Sequence, residues 1–207
     1  QPDVLLLSET RLGLKKLSRR TSLHLMLSTH GYRHAYWHTS TNNPGLNGVA
    51  ILSKIPIKRV ICGWIDDFGC HEDPEGRMMT AVFEDFILVN GYTACSSWPE
   101  RKLTPSQRQE KDDRRRSFDE RLYAHLQVLG STGLPVLWAG DQNIVRTDDD
   151  IWDGHSNPYR YLYASCKPWE RADHEKILGL GFSDAYRHFH PRPSYRDFTH
   201  WRTASMR

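Results

Sequence analysis

The chain has 207 residues, 38% of them hydrophobic, 26% charged and 11% aromatic, with a formal net charge of +3. This length and composition can bury the core of one domain, or one and a half, and exclude a disordered, collagen-like or low-complexity chain. No apolar run exceeds the four residues of Val4 to Leu7, too short for a membrane-spanning helix, and no signal peptide is visible after Gln1.

In chain order, Val4-Leu5-Leu6-Leu7 is too short for a helix and predicts a strand buried on both faces, with Ser8-Glu9-Thr10 as its exit. A domain seldom opens on its first buried strand, so a segment is expected before Gln1. Leu14, Leu17, Leu23 and Leu27 recur with basic residues between them, which predicts a surface helix with a basic outer face. Tyr32 to Trp37 predicts a short strand, Asn42-Asn43-Pro44-Gly45 a turn, and Gly48 to Leu52 a second buried strand. The runs Met79 to Phe83 and Phe86 to Tyr92 flank Glu84-Asp85 and predict a β-hairpin. Glu100 to Glu120 is highly charged and reads as a loop through Pro105 that becomes a helix near Arg114. Phe118, Leu122, Leu126 and Leu129 continue that helix, and Gly130 and Gly133 stop it. Pro135 to Ala139 predicts a third buried strand, delivering Gly140-Asp141-Gln142-Asn143. Residues 146 to 168 read as loop, Trp169 to Leu180 as helix, and Tyr195 to Trp201 as a last strand. Strands and helices alternate irregularly around a hairpin, so the class is α+β with a mixed sheet, in a single, incomplete domain over 1–207.

The charge is unevenly spread. Residues 11 to 40 hold six Lys/Arg, four His and no acid, and residues 187 to 207 hold five Arg against Asp197. Acids gather at Asp66 to Glu75 and Asp148 to Asp153. This division suits a metal-dependent enzyme acting on a polyanion, and equally an ordinary solvated surface. Cys62, Cys70, Cys95 and Cys166 are well separated with no CxxC, which reads as free thiols in a reducing, intracellular compartment.

Two acids follow predicted buried strands directly: Glu9 and Asp141. Asn143 lies two residues past Asp141, on the same side of an extended chain. A carboxylate fixed at a strand end can take one site on Mg²⁺, an ion that keeps several waters and a substrate phosphate. A second Asp can orient or deprotonate an attacking water, and Asn can donate to a phosphate without adding charge. Acids in such places are also common helix caps and turn formers, and Tyr92 at the hairpin end also fits a half-buried core aromatic. Among the eleven His, His30, His34 and His38 stand at HxxxH spacing and His188 and His190 at HxH, while GxxxxGK[ST], GxGxxG and GxSxG are all absent. P-loop, dinucleotide and hydrolase-elbow readings are therefore unsupported.

Taken in order, Pro2 to Thr10 (family form PDxLxLQET), Gly48 to Lys54, Gly76-Arg77, Val89-Asn90-Gly91-Tyr92, Gly140 to Ile144, Gly181 to Pro191 and Phe198 to Trp201 resemble the endonuclease/exonuclease/phosphatase superfamily. The Gly-Phe-x-Asp-x-x-Arg-His-x-His-Pro stretch is most similar to its exonuclease III and class II apurinic/apyrimidinic (AP) endonuclease branch. The resemblance implies a four-layer αββα sandwich of the DNase I-like kind and Mg²⁺- or Mn²⁺-dependent hydrolysis of DNA phosphodiesters. It assigns Glu9 to the metal and Asp141 to the attacking water. Asn143 goes to the scissile phosphate and Tyr92 to a hydrogen bond within the site, while His200 and Trp201 would also meet the substrate. The partner implied is double-stranded DNA, at abasic sites or 3′ ends, in base-excision repair. The protein is expected to be a monomer with no membrane association. The family's Trp-Asn-x-Asn-Gly, Gly-x-Arg-Ile-Asp-Tyr and Ser-Asp-His motifs do not occur, so the catalytic His with its Asp partner, and terminal strands of the fold, are expected outside this chain. Roughly 20 to 30 residues before Gln1 and about 50 after Arg207 would complete a domain of typical size. The 207-residue chain by itself is expected to show little catalysis. Within the motifs, Cys95 stands where the family has Asn, and His200 where it has an aromatic residue. A binding-only relative, a retroelement endonuclease and a phosphatase are the alternatives.

Overall fold

The computed structural model describes residues 1–13, 21–97, 103–151, 156 and 158–191. Among these residues nine strands and four α-helices follow one another: β1 (Val4–Ser8), α1 (Thr21–Thr29), β2 (His34–His38), β3 (Val49–Ser53), β4 (Arg59–Cys62), β5 (Trp64–Asp66), β6 (Gly69–His71), β7 (Met78–Val82), β8 (Ile87–Tyr92), α2 (Pro105–Gly130), β9 (Val136–Asp141), α3 (Pro168–Leu178) and α4 (Ala185–Phe189). Short 3₁₀ turns occupy Asp148–Asp150 and Arg160–Leu162. The chain divides into two compact units, one of residues 1–93 with 120–142 and one of residues 94–119 with 143–207.

The first unit contains two sheets. One is antiparallel in the order β1-β3-β2; the other runs β4-β7-β8-β9, antiparallel except for the parallel pair β8 and β9. A two-stranded ribbon, β5-β6, stands beside them. Alternation along the strands divides the side chains. Val4, Leu6, Val49 and Ile51 of the first sheet meet Met79, Ala81 and Leu88 of the second, with Phe83, in one core. The opposite face of the first sheet, with Leu5, Leu7, Ala35, Trp37 and Leu52, packs on Leu23 and Leu27 of α1. On the outer face of the second sheet, the buried His125 of α2 accepts from the Ile65 amide at 2.9 Å and lies 2.9 Å from Thr80 Oγ1. Leu122, Leu126 and Leu129 of the same helix are buried. The layers are thus helix, sheet, sheet, helix, the α+β sandwich expected.

Several expectations change in detail. β1 and β9 were expected to be buried strands; among the described residues each pairs on one side only, β1 is half-buried throughout, and Leu137 of β9 is 54% exposed. Only β3, between β1 and β2, is buried at every residue. The described part of the first helix starts at Thr21, with Leu25 and Met26 on its exposed side; Leu14, Leu17 and the expected basic face lie outside the described residues. The charged stretch read as a loop to Arg114 is helical from Pro105. Thr104 Oγ1 accepts from the Gln107 amide at 3.3 Å, and Gln107 Oε1 accepts from the Thr104 amide at 2.9 Å. This is a capping box with proline at the first helical position, a start signal in Thr104-Pro105-Ser106-Gln107 that the run of charges hid. The last predicted strand, Tyr195 to Trp201, lies outside the described residues.

The second unit is tied by ion pairs. Lys167 Nζ donates to both carboxylate oxygens of Asp112 and to Ser97 Oγ, each at 2.8 Å. Asp148 accepts from Arg160 and from Arg171, and Asp150 accepts from Arg187. The acidic stretch at Asp148 is thus structural cross-linking. Asp73, in the other acidic stretch, orders its own loop by accepting from the Met78 amide at 2.9 Å and the Glu75 amide at 3.1 Å. Among the described residues no group of three or more His, Cys, Asp or Glu could hold a metal ion, and no helix is long and apolar enough to cross a membrane.

Candidate active site

Glu9 stands one residue beyond β1 in a left-handed conformation, φ +52°, and Arg11 repeats it at +51°. Both conformations are disfavoured for residues with a Cβ and persist where neighbours hold them. Here the Thr10 and Arg11 amides donate to the carbonyls of Gly48 and Asn47 at 3.1 and 2.8 Å. Gly48 makes this approach possible. Its φ is +91°, and a Cβ there would sit 2.4 Å from Thr10 Oγ1. The pinned turn aims the Glu9 side chain at Tyr92, the last residue of β8, whose hydroxyl donates to Glu9 Oε1 at 2.7 Å. Arg11 donates to the other oxygen, Oε2.

Arg77 completes this corner. Its guanidinium lies 4.6 Å from the centre of the Tyr92 ring, donates from Nη1 to the Tyr92 carbonyl at 3.1 Å, from Nη2 to Asn47 Oδ1 at 3.1 Å, and from Nε to Glu75 Oε2 at 2.5 Å. The Tyr92 hydroxyl, then Arg11 and Arg77, hold the Glu9 carboxyl below its ordinary range, so it is ionised at neutral pH. Burial, then the hydrogen bond to Glu9, pushes the Tyr92 phenol up to about 12. Tyr92 is therefore a neutral donor to the carboxylate and not a phenolate base.

Asp141 ends β9 and is the register partner of Tyr92 across the parallel β8/β9 pair. The Thr93 amide donates to the Asp141 carbonyl at 2.8 Å. Gly140 lets the two strands close: its φ is +114°, and a Cβ would lie 2.2 Å from the Gly91 carbonyl oxygen. The Asp141 carboxylate is among the charges that raise the Tyr92 phenol, and the residue is exposed at the strand end. Beneath these residues Asn90, fully buried, donates from Nδ2 to the carbonyls of Ala50 and Leu7 at 2.9 and 3.2 Å, stitching the two sheets together.

The structure thus brings Glu9, Tyr92 and Asp141 to one end of the first unit. Asn143 opens the second segment of the second unit, with φ +43° and its carbonyl accepting from Arg115 at 2.8 Å. Cys95, in place of the family's Asn, is a half-buried cysteine outside any disulfide. His200 and Trp201 lie outside the described residues. Arg11, Asn47 and Arg77 belong to the site and had been given no role. Gly76-Arg77 and the Asn47-Gly48 pair were the available signals.

A sequence profile of the endonuclease/exonuclease/phosphatase family matches residues 1–207. The chain is 31% identical over 201 residues to the DNA repair nuclease APEX1 of Danio rerio, covering 97% of this chain and 57% of that protein. It is 28% identical over 191 residues to a DNA-(apurinic or apyrimidinic site) endonuclease of Dictyostelium discoideum, covering 92% of this chain and 46% of that protein. The chain therefore spans about half the length of these curated relatives. Its fold superposes on a 3′-5′ exonuclease from Neisseria meningitidis with a TM-score of 0.76 at 22% identity, covering 98% of this chain and 70% of that one. An AP endonuclease from Archaeoglobus fulgidus superposes with a TM-score of 0.68 at 24% identity, covering 92% of this chain and 65% of that one. With its ordered motifs carried on this sandwich, the chain belongs to the endonuclease/exonuclease/phosphatase family.

Proposed function

We propose that this chain carries the metal-holding and water-orienting side of a DNA phosphodiesterase of the AP endonuclease and 3′-5′ exonuclease type. The observation that carries the reading is the ionised Glu9, held by Tyr92, whose register partner across β8/β9 is Asp141. The names of the relatives, a DNA repair nuclease and an abasic-site endonuclease, support DNA as the substrate.

The donor set fits a hydrated hard cation. One ionised, part-exposed carboxylate with no His or Cys beside it suits Mg²⁺ or Mn²⁺, which take one or two carboxylates and fill the rest with water and phosphate oxygen. Glu9 would hold the ion, in competition with Arg11 for Oε2. When bound, the ion supplies positive charge to a phosphate oxygen. The chain's own residues supply the rest. Tyr92 and Arg77 orient the Glu9 carboxylate and keep it ionised. Asp141, exposed and anionic, accepts a hydrogen bond from water and directs a lone pair to phosphorus. Asn143 donates its amide to a phosphate oxygen as negative charge grows there. The proposed substrate is duplex DNA at an abasic site or a 3′ end.

The test uses the whole gene product with a duplex bearing one abasic site, an intact duplex and a recessed 3′ end, each with Mg²⁺, Mn²⁺ or EDTA. EDTA-sensitive incision at the abasic site or digestion from the 3′ end is expected. Asp141→Asn should cut turnover by about three orders of magnitude or more with DNA binding kept. Near-normal turnover in that variant removes Asp141 from the chemistry. Salt-sensitive DNA binding with no metal-dependent product would favour the binding-only relative.

A further inference from the structure

Arg115, in the N-terminal half of α2, is the most constrained charged side chain that the proposed chemistry leaves unused. Its side chain is 2% exposed. Nε donates to Asp119 Oδ2 at 2.7 Å. Nη1 donates to two main-chain carbonyls, Asn143 at 2.8 Å and Ala94 at 3.2 Å, and lies 3.7 Å from Glu170 Oε1. The two carbonyls are not arbitrary points of the chain. Ala94 and Asn143 are the first residues after Thr93 and Gln142, where the chain leaves the first unit, one just past Tyr92 and the other just past Asp141. Asn143 is also left-handed at φ +43°, a conformation that Asn tolerates better than most residues with a Cβ.

We infer that Arg115 is a positioning residue: by gripping the Ala94 and Asn143 carbonyls with one nitrogen, it sets the backbone from which the Asn143 amide is offered to a substrate phosphate. This rests on the reading of Asn143 as the phosphate-holding residue. The grip needs arginine. A planar fork satisfies Asp119 along one edge and two carbonyls from another nitrogen, and an ammonium cannot span all three in that geometry. The two buried carboxylates of Asp119 and Glu170 keep the guanidinium in place, so truncation of Arg115 would strand them and confuse folding with function.

The test is a double-mutant cycle in the whole gene product: Arg115→Lys, Asn143→Ala and both together, with kcat and KM measured for abasic-site incision and Tm measured alongside. Arg115→Lys should lower kcat about 10- to 100-fold, the scale of a small misplacement of a group at the reacting centre, with KM nearly unchanged and Tm lowered by no more than a few degrees. In the Asn143→Ala background the same substitution should cost no more than about twofold, because the group it positions is gone. A wild-type kcat in Arg115→Lys, or its full loss repeated in the Asn143→Ala background, overturns the inference. If Arg115→Lys lowers Tm sharply, Asp119→Asn, which removes the charge of the Nε acceptor and so weakens the hold on the guanidinium, takes its place with the same expected results. If the unaltered protein cleaves no DNA, the proposed function fails separately. Hydrogen exchange then decides the grip: faster exchange at residues 94–96 and 143–145 in Arg115→Lys supports it, and unchanged exchange overturns it.

Discussion

The hydrogen bond between the Tyr92 hydroxyl and Glu9 assigns each residue its state: one a neutral phenol, the other an anion. Because Tyr92 is the largest influence lowering the Glu9 carboxyl, Tyr92→Phe should raise it. The sign follows directly. A carboxyl whose folded value is lowered is ionised over a wider acidic range, and removing the donor narrows that range from below. The acid limb of the pH–rate profile should therefore move to higher pH in Tyr92→Phe, with roughly a tenfold fall in rate at neutral pH from losing a hydrogen bond to a charged group. An unshifted acid limb would show that Glu9 ionisation does not control the rate. Glu9→Gln should weaken the Mg²⁺ dependence strongly, and an unchanged Mg²⁺ titration would remove Glu9 as the metal carboxylate. Glu9 and Asp141 were legible in the sequence because each follows an apolar strand run, where an acid stands out, whereas Tyr92 also fitted a half-buried core aromatic and took its place in the site from the family resemblance. Arg77 was not legible. Its role comes from lying over the Tyr92 ring 15 residues away, which no local pattern encodes.

Among the elements, β8 and β9 matter most to the site, since their register places Tyr92 beside Asp141. Gly140 is where that pairing is most exposed to substitution. Gly140→Ala forces an unfavourable φ and a Cβ against the Gly91 carbonyl. It should cost about 1–3 kcal/mol in denaturant unfolding, with activity falling further than stability because Asp141 is displaced. A stability unchanged from wild type would mean that the strands can separate locally without loss. In α2, Thr104→Ala should cost about 1 kcal/mol by removing the cap, measured by the same unfolding experiment. That helix also shows where composition misleads. Residues 105–113 have few apolar side chains and read as loop. The capping box starts the helix, and Asp112, inside that charged stretch, holds the buried Lys167. β1 and β9 mislead in the opposite way, since their apolar runs predict full burial and the described residues leave both strands partly exposed.

For the whole molecule, most shifted groups point to acid sensitivity. Burial pushes His125 and His174 down to about 4, so each folds neutral and binds a proton more readily when unfolded. Stability from these groups is complete above the ordinary histidine value of about 6.5 and is lost as pH falls toward 4. The Arg160 hydrogen bond holds Asp148 at about 2, and Arg146 lowers Glu175; their contributions are lost at lower pH still, with the same sign. Asp119 opposes them. Burial pushes it up to about 6 against the pull of Arg115, so its contribution grows as pH falls below 6. Two histidines against one aspartate predict a Tm that falls between pH 7 and pH 4.5. Thermal melts across that range check this, and a rise in Tm on acidification would mean that Asp119 outweighs both histidines.

What the sequence by itself determined was the class of the fold, six of the nine described strands (all but β4, β5 and β6) and the acids that follow two of them, because apolar periodicity and strand-end chemistry are local properties of the chain. Tertiary structure alone decided that β1 pairs with β3 and β9 with β8, that Asp148 and Asp150 are spent on arginines, and that Arg77 and Arg115 grip backbone and ring far along the chain. Those outcomes depend on which segments meet, and contacts between residues 15 to 37 positions apart leave no periodic trace in the sequence.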